Sequence, residues 1–177
     1  ELEYYTKDNL KNARVENGKL IIEAIKEPFE GKNYTSARLT SKGKADFLYG
    51  RFEVKAKLPK GLGTWPAIWM LATEHSYGQN YWPDNGEIDI MEHVGYDPNV
   101  IHASVHTKSY YHSIGTQKTA VKTIPTSMTE FHVYRIDWTP EKIDSYIDGE
   151  LYFTFKNEKT GWKEWPFDKK QHILLNL

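Results

Sequence analysis

The run GEIDIMEHVG, residues 86–95, alternates acids with aliphatic residues and then breaks step once. In a β-strand residues i and i+2 share a face, so Glu87 and Asp89 point one way while Ile88 and Ile90 point the other. The isoleucines take the core and the acids face outward. Glu92 stands five residues after Glu87, the wrong parity for the acidic face unless one extra residue resets the alternation. A β-bulge is therefore expected at Ile90-Met91. With it, three carboxyl groups line one strand on a concave sheet face, an arrangement that is repulsive and brings no structural benefit.

Outward from this strand the period of two recurs in short segments bounded by Gly, Pro, Asn or Asp, and helix signals are nearly absent. ARVENGKLIIEAIK at 13–26 reads as a hairpin turning at Asn17-Gly18, and the segments 34–41 and 49–58 alternate cleanly after it. Further strands are expected at 65–72, 86–94 and 100–107, then in FHVYRIDW at 131–138 and on both sides of Asp148-Gly149 in DSYIDGELYFTF at 144–155. HILLNL, 172–177, ends the sequence as an apolar strand. Roughly ten short strands without crossover helices predict an all-β fold, a β-sandwich jelly roll of two antiparallel sheets with a concave cleft. The polar segments 73–85 and 108–128 are expected to be loops, and they flank the acidic run.

The totals fit one domain over 1–177: 39% hydrophobic and 27% charged residues in 177 suffice for a single continuous core. A formal net charge of -1, with basic residues scattered, gives no electrostatic reason to expect nucleic acid or an anionic membrane as partner. No apolar run approaches the length that spans a bilayer, and the first residues are polar and aromatic rather than a signal peptide. The absence of cysteine excludes disulfides, thiolate metal sites and cysteine nucleophiles. The excess is aromatic: six Trp, twelve Tyr and seven Phe call for a dense core or a stacking surface.

Paired carboxyls of this kind suit glycoside chemistry. Retaining hydrolysis needs one ionised carboxylate as nucleophile and one protonated carboxyl as acid, roughly 5–5.5 Å apart across the scissile bond. Glu87 is assigned as nucleophile, Glu92 as acid/base, and Asp89 as the carboxyl between them that shares a proton with Glu87. A sugar also presents an apolar C–H face with a fringe of hydroxyls, which calls for aromatic plates edged by polar groups. Trp65 and Trp69, four apart, share one face of the expected strand 65–72. Trp82, beside Pro83 just ahead of the acids, is a third candidate. His102 and His106 share a strand face, whereas His93 should point inward as a buried, hydrogen-bonded residue. Cupin metal sites use histidines two apart and lack a three-acid strand, so no metal site is assigned.

GTWPAIWML at 63–71, YWPDNGEIDIMEHVG at 81–95 and HASVHT at 102–107 together resemble the laminarinases, the endo-1,3-β-glucanases of glycoside hydrolase family sixteen. The resemblance extends through NYTSARL, YGRFEVKAKLP, FHVYRIDWTP and WPFDKKQHILLNL. Two residues, Ile90 and Met91, separate the last two acids, the longer of the family's two signatures and the one that goes with 1,3-glucanases. The resemblance implies retention of configuration, a β-glucan polysaccharide or oligosaccharide as partner, action outside the cell, and no cofactor for catalysis. It implies sugar-binding roles for Trp65, Trp69 and Arg38, the last at the glycone end, and it places His106 near the acid/base. Arg51 is balanced between sugar binding and a salt bridge. Relatives carry further segments before ELEYYT and after HILLNL, which hold most ligands of their structural calcium, so no calcium ligand is assigned here. The competing function is a non-catalytic glucan-binding lectin on the same sandwich, but such modules lose the acids that stand here.

Overall fold

The computed structural model describes residues 2–177. Fifteen strands are found among them. In chain order they are β1 (Tyr4–Tyr5), β2 (Ala13–Glu16), β3 (Lys19–Ile22), β4 (Thr35–Ser36), β5 (Arg38–Thr40), β6 (Asp46–Phe47), β7 (Gly50–Ala56) and β8 (Ala67–Ala72). There follow β9 (Glu87–His93), β10 (Val100–His106), β11 (Lys118–Thr123), β12 (His132–Trp138), β13 (Lys142–Ile147), β14 (Glu150–Lys156) and β15 (Gln171–Asn176). A seven-stranded sheet runs β11-β10-β9-β8-β15-β5, with β6 also on β15, and a four-stranded sheet runs β14-β13-β12-β7. Every pairing in these two sheets is antiparallel. The sandwich expected from the alternation is present.

The two sheets are held face to face by the residues that alternation assigns inward. From the larger sheet come Ile68, Met70, Ile88, Ile90, Ile101 and Val105; from the smaller come Tyr134, Ile136, Trp138, Ile143, Phe153 and Phe155, all buried in one cluster. Each such side chain contributes about 1.5–3 kcal/mol by leaving water. The hairpins turn where the sequence places them, with Asn17 and Asp148 at φ 50 and each followed by a glycine at positive φ.

Three expectations are corrected. The segment 108–128 is not all loop, since β11 runs through it as the edge of the larger sheet. Its sequence KTAVKT carries polar residues on both faces, so the alternation is faint. The strand placed at 65–72 begins at Ala67, after Pro66, and Trp65 lies outside it. The segment 34–41 is also more broken than expected: it holds two short strands, β4 and β5, and β4 pairs with β1 in parallel.

Candidate active site

The bulge is where strand parity requires it. On one side of β9, Leu71 pairs with Glu87, Trp69 with Asp89, Ile68 with Met91 and Ala67 with Glu92. On the other side His106 pairs with Glu87, Ser104 with Asp89 and His102 with Glu92. Both neighbours thus advance two residues while β9 advances three, from Asp89 to Glu92. Ile90 and Met91 absorb the extra residue, and both are 1% exposed, so two consecutive apolar side chains sink into the core. Glu87, Asp89 and Glu92 consequently share the outer face of the larger sheet.

Their environments differ. Asp89 is buried at 2% exposure, whereas Glu87 and Glu92 are half-buried. Burial, then the negative charge of Asp89, raises the Glu87 carboxyl well above the ordinary range, with His106 partly offsetting the effect. Burial, then the charge of Glu92, raises Asp89 likewise. Two such carboxyls side by side favour holding one proton between them. His106 Nε2 lies 3.3 Å from Asp89 Oδ2 and 3.8 Å from Glu87 Oε1. This corrects the expected place of His106: it adjoins Glu87 and Asp89, and the histidine opposite Glu92 is His102. Glu87, Asp89 and His106 are also the one trio among the described residues with ligand atoms close enough for a cation, within 4.8 Å of one another. That spacing equally suits a shared proton beside an imidazole.

The tryptophans reach this face by different routes. Trp65, off the strand and 59% exposed, donates its indole N–H to Glu92 Oε1 at 2.9 Å. The shared-face argument for Trp65 and Trp69 therefore fails, although both residues border the acids. Trp69 stands opposite Asp89 on β8 and donates its N–H to Asn176 Oδ1 at 2.7 Å. Arg38, opposite Asn176 on β5, lays its guanidinium 5.4 Å from the Trp69 ring and 4.7 Å from that of Tyr5. Trp82 sits among His106, Tyr111 and His112, with ring centroids 6.0, 5.6 and 5.1 Å away. Arg51 is removed from the site: it faces outward on β7 and forms a two-point pair with Asp137 at 2.8 and 3.1 Å. His93 is fully buried and accepts the Asn99 backbone N–H at 3.2 Å, as its parity requires.

Sequence reading missed several residues here. Asn176 is the last strand residue of β15 and orients Trp69; only its place in HILLNL hinted at it. His112 lies in a single 3-10 turn, His112–Ile114, with no periodic signal. Asp84 and Asn85, just before Glu87, organise the flanking loop through their side chains. Asn85 Oδ1 accepts the backbone N–H groups of Ser76 and Tyr77, each at 2.7 Å. Asp84 accepts those of Gln79 and Asn80 and pairs with Lys108 at 3.3 Å, which ties the two loops beside the acids together. Burial alone would raise the Asp84 carboxyl, but these donors outweigh it and hold it below its ordinary value.

The chain is similar to known proteins over its whole described length. The family model described as Glycosyl hydrolases family 16 matches residues 2–177. A β-glucanase of Rhodothermus marinus is 56% identical over 182 residues, covering all of this chain and 64% of that protein. The chain thus spans somewhat under two thirds of that relative's length. The X-ray structure of the laminarinase from Rhodothermus marinus superimposes with a TM-score of 0.98 at 55% identity, over 99% of this chain and 72% of the other. A mutant of SCLam, a non-specific endo-β-1,3(4)-glucanase presenting a 1,3-β-D-cellobiosyl-glucose at its active site, gives 0.95 at 45% identity, over 99% of this chain and 70% of the other.

Proposed function

The chain belongs to glycosyl hydrolases family 16, and from that premise we propose that it cleaves internal 1,3-β-glucan linkages with retention of anomeric configuration. The observation that carries the proposal is the bulge, which brings Glu92 onto the face of Glu87 and Asp89. Glu87 is the nucleophile. Its carboxylate attacks the anomeric carbon as the bond to the leaving oxygen breaks, and Glu92 gives that oxygen its proton. The glycosyl ester on Glu87 is then opened by a water whose proton returns to Glu92. The Trp65 N–H occupies Glu92 Oε1 at 2.9 Å, which leaves Oε2 to carry the proton that moves. Asp89 takes the proton shared with Glu87 and so frees the nucleophile to ionise.

The aromatic and polar groups on both sides of β9 support a neutral sugar chain as substrate. Trp69, fixed by Asn176, offers aromatic surface, with the Arg38 guanidinium over its ring and the Asn176 amide at its N–H. A polymeric substrate places the enzyme's work outside the cell. Relatives named for both 1,3- and 1,3(4)-glucans make mixed-linkage glucan the second substrate to test. The lectin reading leaves unexplained why three mutually repelling carboxyls share this face. Incubation with laminarin, with product lengths resolved and the first-formed anomer read by NMR, tests the proposal. Internal cleavage giving the β-anomer is expected; no cleavage, or the α-anomer first, would overturn it.

A further inference from the structure

A second cavity of about 370 Å³ opens on the flank of the sandwich, and none of its lining residues belongs to β8, β9 or β10. Tyr49, leading into β7, lines it together with Tyr77 from the loop ahead of β9 and with Asn157, Trp162, Trp165 and Asp168 from the segment between β14 and β15. Tyr77 and Trp162 stack with centroids 5.6 Å apart and planes 2° from parallel. Tyr49 holds a left-handed backbone, φ 66, and sets its ring edge-on to Trp138 at 5.2 Å. That conformation is unfavourable for a bulky side chain and needs a compensating contact.

The polar groups restrict what can occupy the cavity. Its charges are already matched within the protein: Lys159 pairs with Glu141 at 2.7 Å, and Asp168 accepts the Tyr77 hydroxyl at 2.8 Å and lies 3.8 Å from Lys169. A charged ligand would have to compete with those pairs. Two donors remain. The Trp165 indole N–H, in a residue only 5% exposed, has no acceptor among the described residues. No protein partner for the Tyr49 hydroxyl is found among them either, and burial is the first cause that raises its pKa. A purely apolar ligand would cover the Tyr49 hydroxyl without giving it a partner, at about 1–3 kcal/mol. An aromatic wall edged by unmatched neutral donors fits a neutral polyhydroxylated ring, whose C–H face stacks while its hydroxyls bond the edge.

We propose that this flank cavity is a second carbohydrate site, which holds a short stretch of the same neutral β-glucan that the cleft cleaves and so keeps a long chain on the enzyme between cuts. The choice of β-glucan rests on the proposed function; the sugar-binding chemistry of the cavity does not. The test uses ¹⁵N-tryptophan-labelled protein carrying Glu87→Gln, titrated with a β-1,3-linked glucose hexamer while the six indole N–H signals are followed. The Trp162 and Trp165 signals are expected to move with a midpoint of their own, distinct from that of Trp65 and Trp69. Adding Trp162→Ala should abolish the Trp165 response, leave the Trp65 and Trp69 titration intact as a check on folding, and weaken retardation in a laminarin-containing native gel about three- to tenfold. Tyr49→Phe, which removes only a hydroxyl, should shift the flank midpoint in the same direction. If Trp65 and Trp69 respond while Trp162 and Trp165 stay fixed at millimolar sugar, the second site is wrong and the cleft reading stands. If the flank signals respond while wild-type protein fails to cleave laminarin, the second site stands and the proposed hydrolase activity falls.

Discussion

Replacing Trp65 by Phe isolates one hydrogen bond, because the substitution keeps an aromatic ring beside Glu92 and removes only the N–H that reaches Oε1 at 2.9 Å. A donor to a carboxylate contributes about 1.5–3 kcal/mol where water is excluded. Trp65 is 59% exposed, so water competes for the same oxygen and the net value falls to about 1 kcal/mol. If the bond fixes which oxygen of Glu92 carries the proton, that energy is lost in the transition state, and kcat/KM on laminarin drops about fivefold. The diagnostic is a pair of substrates. A β-glucan oligosaccharide with an acidic phenol as leaving group needs little protonation, so Trp65→Phe should leave its glycosylation rate almost unchanged. An equal loss on both substrates would show that the indole binds sugar instead of orienting Glu92, and the reasoning would be refuted.

Asp89→Asn removes a negative charge that helps raise Glu87. Since Glu87 must be ionised to attack, the acid limb of the kcat/KM profile should move to lower pH while kcat falls; a limb that moves up, or stays, contradicts the shared-proton account. Glu87→Gln should abolish turnover and raise Tm at neutral pH. The sign follows from linkage: an acid whose folded pKa is raised destabilises the fold above its unfolded pKa, so the gain should vanish as pH falls below the ordinary carboxylate range, and a gain that grew on acidification would be inconsistent. Gly86, at φ 82 just before Glu87, would place a new Cβ 2.7 Å from both Phe167 Cε1 and Pro166 Cγ. Because Phe167 is fully buried and cannot yield, Gly86→Ala should cost about 2–4 kcal/mol in a denaturant titration, and an unchanged midpoint would dismiss the clash.

What was legible in the sequence is what period two controls. Ile88 and Ile90 against Glu87 and Asp89 gave the inner and outer faces of β9, and the same period marked FHVYRIDW as the strand from which Tyr134, Ile136 and Trp138 enter the core. Even the irregularity was legible, because Glu92 had no other way to join its partners. Residues outside regular strands were not. Trp65 precedes Pro66, where the strand has not begun, so no parity applied to it and its bond to Glu92 could not be foreseen. His106 was expected near the acid/base, but which acid it adjoins depends on register between two strands, and a single strand's pattern carries no register. Asp84 and Asn85 act through side-chain bonds to loop backbone, which leave no periodic trace.

The bulge also explains how a strand with three like charges keeps its register. Ile90 and Met91 are both 1% exposed, so the irregularity is anchored by two adjacent side chains in the core. A one-residue slip of the segment after Asp89 would turn Met91 outward and Glu92 inward. Exposing the methionine costs about 1.5–3 kcal/mol, and burying an ionised carboxylate without a partner costs several kcal/mol more. Both penalties oppose the same slip. The contact that defines the core therefore also holds the third carboxyl in the cleft, and a polar residue at Met91 should weaken the fold and misplace Glu92 together.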